Sequence, residues 1–316
     1  MPAISESAPG KIILFGEHAV VYGHPAIAVP VSQVNARAIL TPNPNGCIQV
    51  QAPEIDLDST LRELPPDDTL AKTIQLTLEE IGVIDPPAFH IRITSSIPLA
   101  AGLGSGAAVS VAVIRGISTF LGHPLPDETV NNLAFEIEKI HHGTPSGIDN
   151  TVVTFNRPVF FIKGKTIETF HVNTPFTIVI GDTGVVSPTS KAVAAVRQAW
   201  QADEESYEQI FASCGDIAFQ ARQQIETGNI QQLGALMNQN QALLAEMGVS
   251  SPELNQLITV ARQNGAYGAK LSGGGLGGNM IAIAQPGKAE KIAAALKHAG
   301  SANTITTRIG VSEDGK

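Results

Sequence analysis

Residues 98–112 read PLAAGLGSGAAVSVA, a glycine-rich turn running straight into an apolar helix. No other stretch constrains the fold as much. A helix opening after closely spaced glycines presents unpaired N–H groups and the positive end of its dipole to whatever lies in the turn, which suits a phosphate. A Walker A loop needs Gly-x-x-x-x-Gly-Lys-Ser/Thr, and here no lysine follows the glycines. GLGSGA, with Ala107 at its last position, also satisfies the Gly-x-Gly-x-x-Gly/Ala spacing of dinucleotide folds. Taken alone, the motif fits a phosphate cradle, a dinucleotide turn or a tight turn before a core helix.

Three further stretches narrow the choice. KLSGGGLGGNMIAI, Lys270 to Ile283, puts five glycines in six positions ahead of a strand. Each costs about 0.5–1 kcal/mol relative to alanine in regular structure, which points to close passage beside a ligand. APGKIILFGEHAVVYG, Ala8 to Gly23, interrupts an apolar run with Gly-Glu-His, and Glu17 and His18 inside a core would need partners. Lys11 at that strand's start is, alone, an ordinary solvated end. EKIHHGTPSGIDN, Glu138 to Asn150, carries Asp149 through a Pro-Ser-Gly turn into an apolar segment. By themselves Glu138 reads as a solvated helix residue and Asp149 as a turn cap.

The chain has 316 residues, more than a single hydrophobic core usually spans, so two domains are expected, with a break near residue 175 (1–175 and 176–316). A net charge of -9 with scattered Lys and Arg excludes nucleic acid and an acidic membrane surface as main partners. Two distant cysteines, Cys47 and Cys214, indicate neither a zinc site nor a disulfide framework, and this suggests a reducing, cytoplasmic setting. MPAISESAPGK lacks the features of a signal peptide, and no apolar run reaches the roughly 18 residues of a membrane span.

Residues 11–15, 36–40, 47–51, 89–94, 159–163 and 176–184 read as strands, with a turn at 41–46. Residues 67–82 and 125–143 read as amphipathic helices, the first stopped by Gly82, the second capped by Asp127 and ended by Gly143. From about 187 to 264 the pattern is helical, and strand, helix and strand follow at 279–284, 287–300 and 304–310. Strands and helices do not alternate regularly, so the expected class is α+β.

Together the four stretches resemble the GHMP kinase superfamily, whose three motifs occur in order at Pro9–Gly23, Pro98–Ala108 and Lys270–Gly278. Within it, PGKIILFGEHAVVYG and HGTPSGIDN are most similar to the mevalonate-phosphorylating branch. The resemblance implies a two-domain fold, its N-terminal domain ribosomal protein S5 domain 2-like and its C-terminal domain ferredoxin-like and helix-rich. It also implies ATP-dependent phosphorylation of a primary hydroxyl, with mevalonate and ATP as substrates and Mg2+ as cofactor.

By the match, Pro98, Ala101, Gly102, Leu103, Gly104, Ser105, Gly106 and Ala107 would wrap the triphosphate. Glu138 would hold Mg2+, Asp149 would receive the proton of the attacking hydroxyl, and Lys11 would pair with Asp149 and the phosphoryl group. Glu17 and His18 would hold mevalonate, His18 as a hydrogen-bond donor, and Thr189 would place a hydroxyl near the substrate, with Lys191 a second cation. The family's usual Gly-Leu-Gly-Ser-Ser-Ala has Gly106 for its second serine, so either Ser105 reaches the metal or Glu138 and water carry it. Leu276 stands where the family commonly has glycine. Family members are often homodimers, but no stripe here marks an interface. The rival expectations are a phosphomevalonate or sugar kinase of the same superfamily, or a non-catalytic nucleotide sensor on its scaffold.

Overall fold

The computed structural model describes residues 2–98, 102–142 and 145–310, without the side chains of His141 and His142. Its contacts divide the chain into two compact units. One draws on Met1–Lys11, Val34–Leu99 and Leu103–Asn156, the other on Ile12–Gln33, Ala100–Gly102 and Arg157–Lys316. The units interleave in sequence, residues 12–33 grouping with the C-terminal half, where the sequence suggested one linear break near residue 175. The interleaving follows from two long strands, β1 (Ile4–Phe15) and β2 (Ala26–Pro42), that pair with each other and pass through both divisions of the chain.

In the first unit, β2 pairs antiparallel with β5 (Phe89–Ser95), which pairs parallel with β3 (Gln49–Ala52), and β3 antiparallel with β4 (Leu57–Thr60). Helix α1 (Thr69–Glu80) opens where the Asp68 carboxylate accepts from the Ala71 N–H at 2.9 Å. Helix α2 (Ser105–Phe120) buries Ala107, Ala108, Val111, Ala112, Val113, Ile114 and Ile117, apolar on nearly every side, as a central helix must be. Around it pack α1, α3 (Asp127–His142) and α4 (Ile148–Phe155). Asp127, expected as the cap, is the first helical residue of α3, the Thr129 and Val130 N–H groups donating to the Pro126 carbonyl before it, and its carboxylate pairs with Arg115 at 2.6 Å. The stop expected at Gly143 lies outside the described residues. Short α4, which carries Asp149, stands where the sequence showed only an apolar segment.

In the second unit, residues 26–28 of β2 pair with β6 (Val159–Phe161), and β6 with β7 (Glu168–Thr169). Strand β8 (Phe176–Asp182) starts a second, four-stranded sheet. Helices α5 (Thr189–Ala202), α6 (Glu204–Thr227), α7 (Ile230–Glu246) and α8 (Pro252–Gln263) fill the stretch expected to be helical. Then come β9 (Ala266–Ser272), β10 (Asn279–Ala284), α9 (Ala289–His298) and β11 (Asn303–Ile309). The sheet is antiparallel throughout in the order β11-β8-β10-β9. Its core joins Val179, Ala269, Leu271 and Met280 of the strands to Phe211, Leu244, Leu257, Ile258 and Leu296 of the helices. Among the described residues no helix is long and apolar enough to cross a membrane.

Candidate active site

The first unit collects the residues expected to handle phosphate and proton. Lys11 is 8 % exposed on β1, and its backbone N–H donates to the Leu103 carbonyl at 2.9 Å, which fastens the glycine turn to the strand. Gly104 has φ 73°, the left-handed conformation that favours glycine, and a Cβ there would lie 2.7 Å from Lys11 Cγ. The turn therefore rests directly on the lysine stem. From it α2 starts at Ser105, and its N-cap, Gly104, makes no side-chain capping bond to the first turn.

The Lys11 ammonium reaches Asp149 Oδ1 at 3.0 Å. Asp149 sits in the first turn of α4, behind Gly147 at φ 84°. Two contacts hold that helix in place. Asn150 Nδ2 donates to Asn131 Oδ1 of α3 at 2.7 Å, and Arg115 of α2 donates to the Thr154 carbonyl at 2.7 Å. The residues that position Asp149 thus belong to the same helices that carry the turn and Glu138.

Glu138 is buried on α3, and a Cβ on Gly106 would meet its Oε1 at 3.5 Å, so the carboxylate lies against the start of α2. Among the described residues no group of three His, Cys, Asp or Glu side chains could cage a metal. One buried carboxylate beside a glycine-rich turn has the chemistry of a Mg2+ ligand, since that ion characteristically takes one or two carboxylates together with substrate phosphates. Of the other turn residues, Pro98 and Ser105 are half-buried, Gly102 is exposed, and Leu103 and Ala107 are buried; Ala101 lies outside the described residues.

The second unit collects Glu17, His18, Thr189 and the third glycine loop. Glu17 is 3 % and Lys270 0 % exposed, and Lys270 Nζ donates to Glu17 Oε1 in a short contact and to the Leu271 carbonyl at 2.6 Å. Burial pushes the Glu17 carboxyl above its ordinary range and the Lys270 ammonium below its own, each partly offset by the other charge. Lys270 was not anticipated as a site residue; the signal available was that a buried Glu17 requires a partner.

His18 is buried with φ 59° and ψ -53°, and its Nε2 lies 2.9 Å from the Gly274 carbonyl. A carbonyl only accepts, so the ring proton sits on Nε2. Burial lowers the imidazole pKa, and in the neutral ring Nε2 is the donor, bonded to Gly274, while Nδ1 is the acceptor. Thr189 is exposed as the first residue of α5, and the loop passes beneath it, a Cβ on Gly274 meeting Thr189 Cα at 3.2 Å. Lys191 is exposed two residues further along α5. Leu276 holds φ 59°, a left-handed backbone at the place where glycine is usual.

Sequence comparison gives the class of protein, a small-molecule kinase. The GHMP kinases N terminal domain profile matches residues 68–157 and the GHMP kinases C terminal profile residues 221–302. The chain belongs to the GHMP kinase family. Within that family it is similar to the mevalonate kinase of Pyrococcus horikoshii, 37 % identical, with 95 % of this chain and 94 % of that protein covered. The mevalonate kinase of L. major, solved with R-mevalonate, superposes with a TM-score of 0.83 at 30 % identity, covering 98 % of this chain and 96 % of that one. The Methanococcus jannaschii mevalonate kinase shares the fold, with a TM-score of 0.85 at 23 % identity and 98 % and 99 % covered.

Proposed function

We propose that this chain transfers the terminal phosphoryl group of ATP to the primary hydroxyl of (R)-mevalonate, giving 5-phosphomevalonate for isoprenoid biosynthesis. The observation that carries this reading is the Lys11–Asp149 pair at 3.0 Å, with the lysine stem packed under the turn that opens α2. Full-length similarity to mevalonate kinases supports the choice of acceptor.

Phosphoryl transfer leaves the protein little covalent chemistry, so its contribution is alignment and charge stabilisation. In the first unit, the N–H groups and dipole of α2, with residues 103–107, bind the phosphates. Asp149 accepts the proton of the attacking hydroxyl. Lys11 holds that carboxylate in place and stabilises charge on the phosphoryl oxygens. Glu138, with Ser105 or water, would hold Mg2+, which when bound neutralises phosphate charge. In the second unit, His18, Thr189 and the segment around Glu17 hold the acceptor, His18 accepting from a substrate hydroxyl through Nδ1.

The test is a coupled ADP-release assay over mevalonate, phosphomevalonate, homoserine and galactose. Turnover is expected with mevalonate; inactivity on mevalonate, or preference for another acceptor, overturns the assignment.

A further inference from the structure

Side-chain bonds tie the segment 13–18 to residues 270–274, the end of β9 and the start of the glycine loop, where the Gly273 backbone also bonds the Glu17 carboxyl. Ser272 Oγ donates to the Ile13 carbonyl at 2.6 Å, Lys270 Nζ to Glu17 Oε1, and His18 Nε2 to the Gly274 carbonyl at 2.9 Å. They span 259, 253 and 256 residues of sequence. Only the Lys270–Glu17 pair requires two full charges to leave water, with Lys270 Nζ 6.0 Å from the Phe15 ring centroid. A buried ion pair is weak as a stabiliser, since a well-packed apolar pair of similar volume is often as stable or more so. What charges add over an apolar pair is direction: Nζ must meet Oε1.

That direction bears on the next residue. His18 is held at φ 59°, a conformation unfavourable for a side chain with a Cβ, and persists there only if its surroundings enforce it. Glu17 is pinned on one side, and the Gly274 carbonyl, four residues beyond Lys270, takes the ring proton on the other.

We propose that Lys270 is a positioning residue for the acceptor site: by fixing Glu17 it keeps His18 in its left-handed conformation, with Nε2–H on Gly274 and Nδ1 turned to the substrate. Lys270 does not touch the acceptor. The proposal rests on the reading that His18 holds mevalonate.

The test compares wild type, Lys270→Met and Leu257→Ala, the last a core truncation in the same unit that costs stability without touching this network. Lys270→Met should raise KM for mevalonate at least about tenfold, a loss of roughly 1.4 kcal/mol of binding. Nucleotide affinity should stay within about twofold, the range expected where the binding contacts are untouched. In isotope-labelled histidine spectra, the His18 Nε2–H signal, assigned by its absence in His18→Gln, should be present in wild type and lost in Lys270→Met. A KM rise no larger than in Leu257→Ala, or an unaltered His18 signal, overturns the proposal. If Lys270→Met does not fold, Glu17→Met/Lys270→Met restores apolar packing. A lost His18 signal in that double variant supports the proposal, and a wild-type signal overturns it. Were wild type inactive on mevalonate, the acceptor reading would fail while the histidine signal still decided the role of Lys270.

Discussion

Gly104→Ala probes how the glycine turn and Lys11 are joined. Gly104 sits at φ 73° and ψ 32°, where an L-residue costs about 1–2 kcal/mol. The new Cβ would also stand 2.7 Å from Lys11 Cγ and 3.3 Å from Cε. The stem must withdraw by about 0.7 Å to reach ordinary contact at 3.4 Å. It has little room to do so, because the Lys11 backbone is bonded to Leu103 and its ammonium to Asp149. A misplacement approaching 1 Å near reacting groups can lower turnover about a hundredfold, so kcat should fall by that order, with a melting temperature lower by a few degrees. Gly82→Ala, just beyond α1 and outside the site, supplies the stability control. It carries the same left-handed penalty at φ 70°, with nothing within 4 Å of its added Cβ. The assay is ADP release at saturating mevalonate and ATP, beside thermal melts of all three proteins. If Gly104→Ala loses the expected stability yet keeps kcat within about threefold of wild type, the stem contact does not position Lys11 and the reasoning fails.

Three other predictions concern the metal and the histidine. Glu138→Gln should steeply raise the Mg2+ concentration needed for half-maximal rate, and an unchanged requirement would remove Glu138 from the metal site. Gly106→Ser should fold normally, because its Cβ meets Glu138 Oε1 at an ordinary 3.5 Å; if Ser105 or water already completes the metal shell, a Mg2+ titration should move little, and a large gain in affinity would contradict that. For His18, burial depresses the folded pKa below 6.5, so the unfolded chain binds the proton more readily. The stabilising contribution of the neutral ring is therefore complete above about pH 6.5 and is lost as pH falls towards the folded pKa. Melts of wild type and His18→Gln should converge on acidification across that window, and a difference independent of pH would refute the neutral, buried ring.

Much of the fold was legible because period and punctuation agreed. Helix α1 shows its apolar stripe behind an Asp cap, and the strands at 36–40 and 89–94 show β-branched runs. The missed pieces have physical causes. Pro30 reads as a strand breaker, yet it lies outside the stretches of β2 that pair with β5 and β6. Strand β9, AYGAKLS, has a glycine and a lysine breaking any apolar alternation, so it gave no strand signal although Lys270 is fully buried within it. The α4 helix is eight residues long, too short for a periodic signal. Within the site, the residues of each motif were legible, and their partnerships across 253 and 256 residues were not. His18 shows the difference: its identity suggested a donor, and only the Gly274 carbonyl fixes which nitrogen keeps the proton.

The central claim is that Asp149, held by Lys11, takes the proton of mevalonate's hydroxyl as the phosphoryl group arrives. Single-turnover transfer from ATP to mevalonate by wild type and Asp149→Asn, with nucleotide affinity measured separately, tests it most directly. The account predicts 5-phosphomevalonate from wild type, a transfer rate lower by about a hundredfold to ten-thousandfold in Asp149→Asn, and nearly unchanged nucleotide affinity. Equal transfer rates in the two proteins would contradict it.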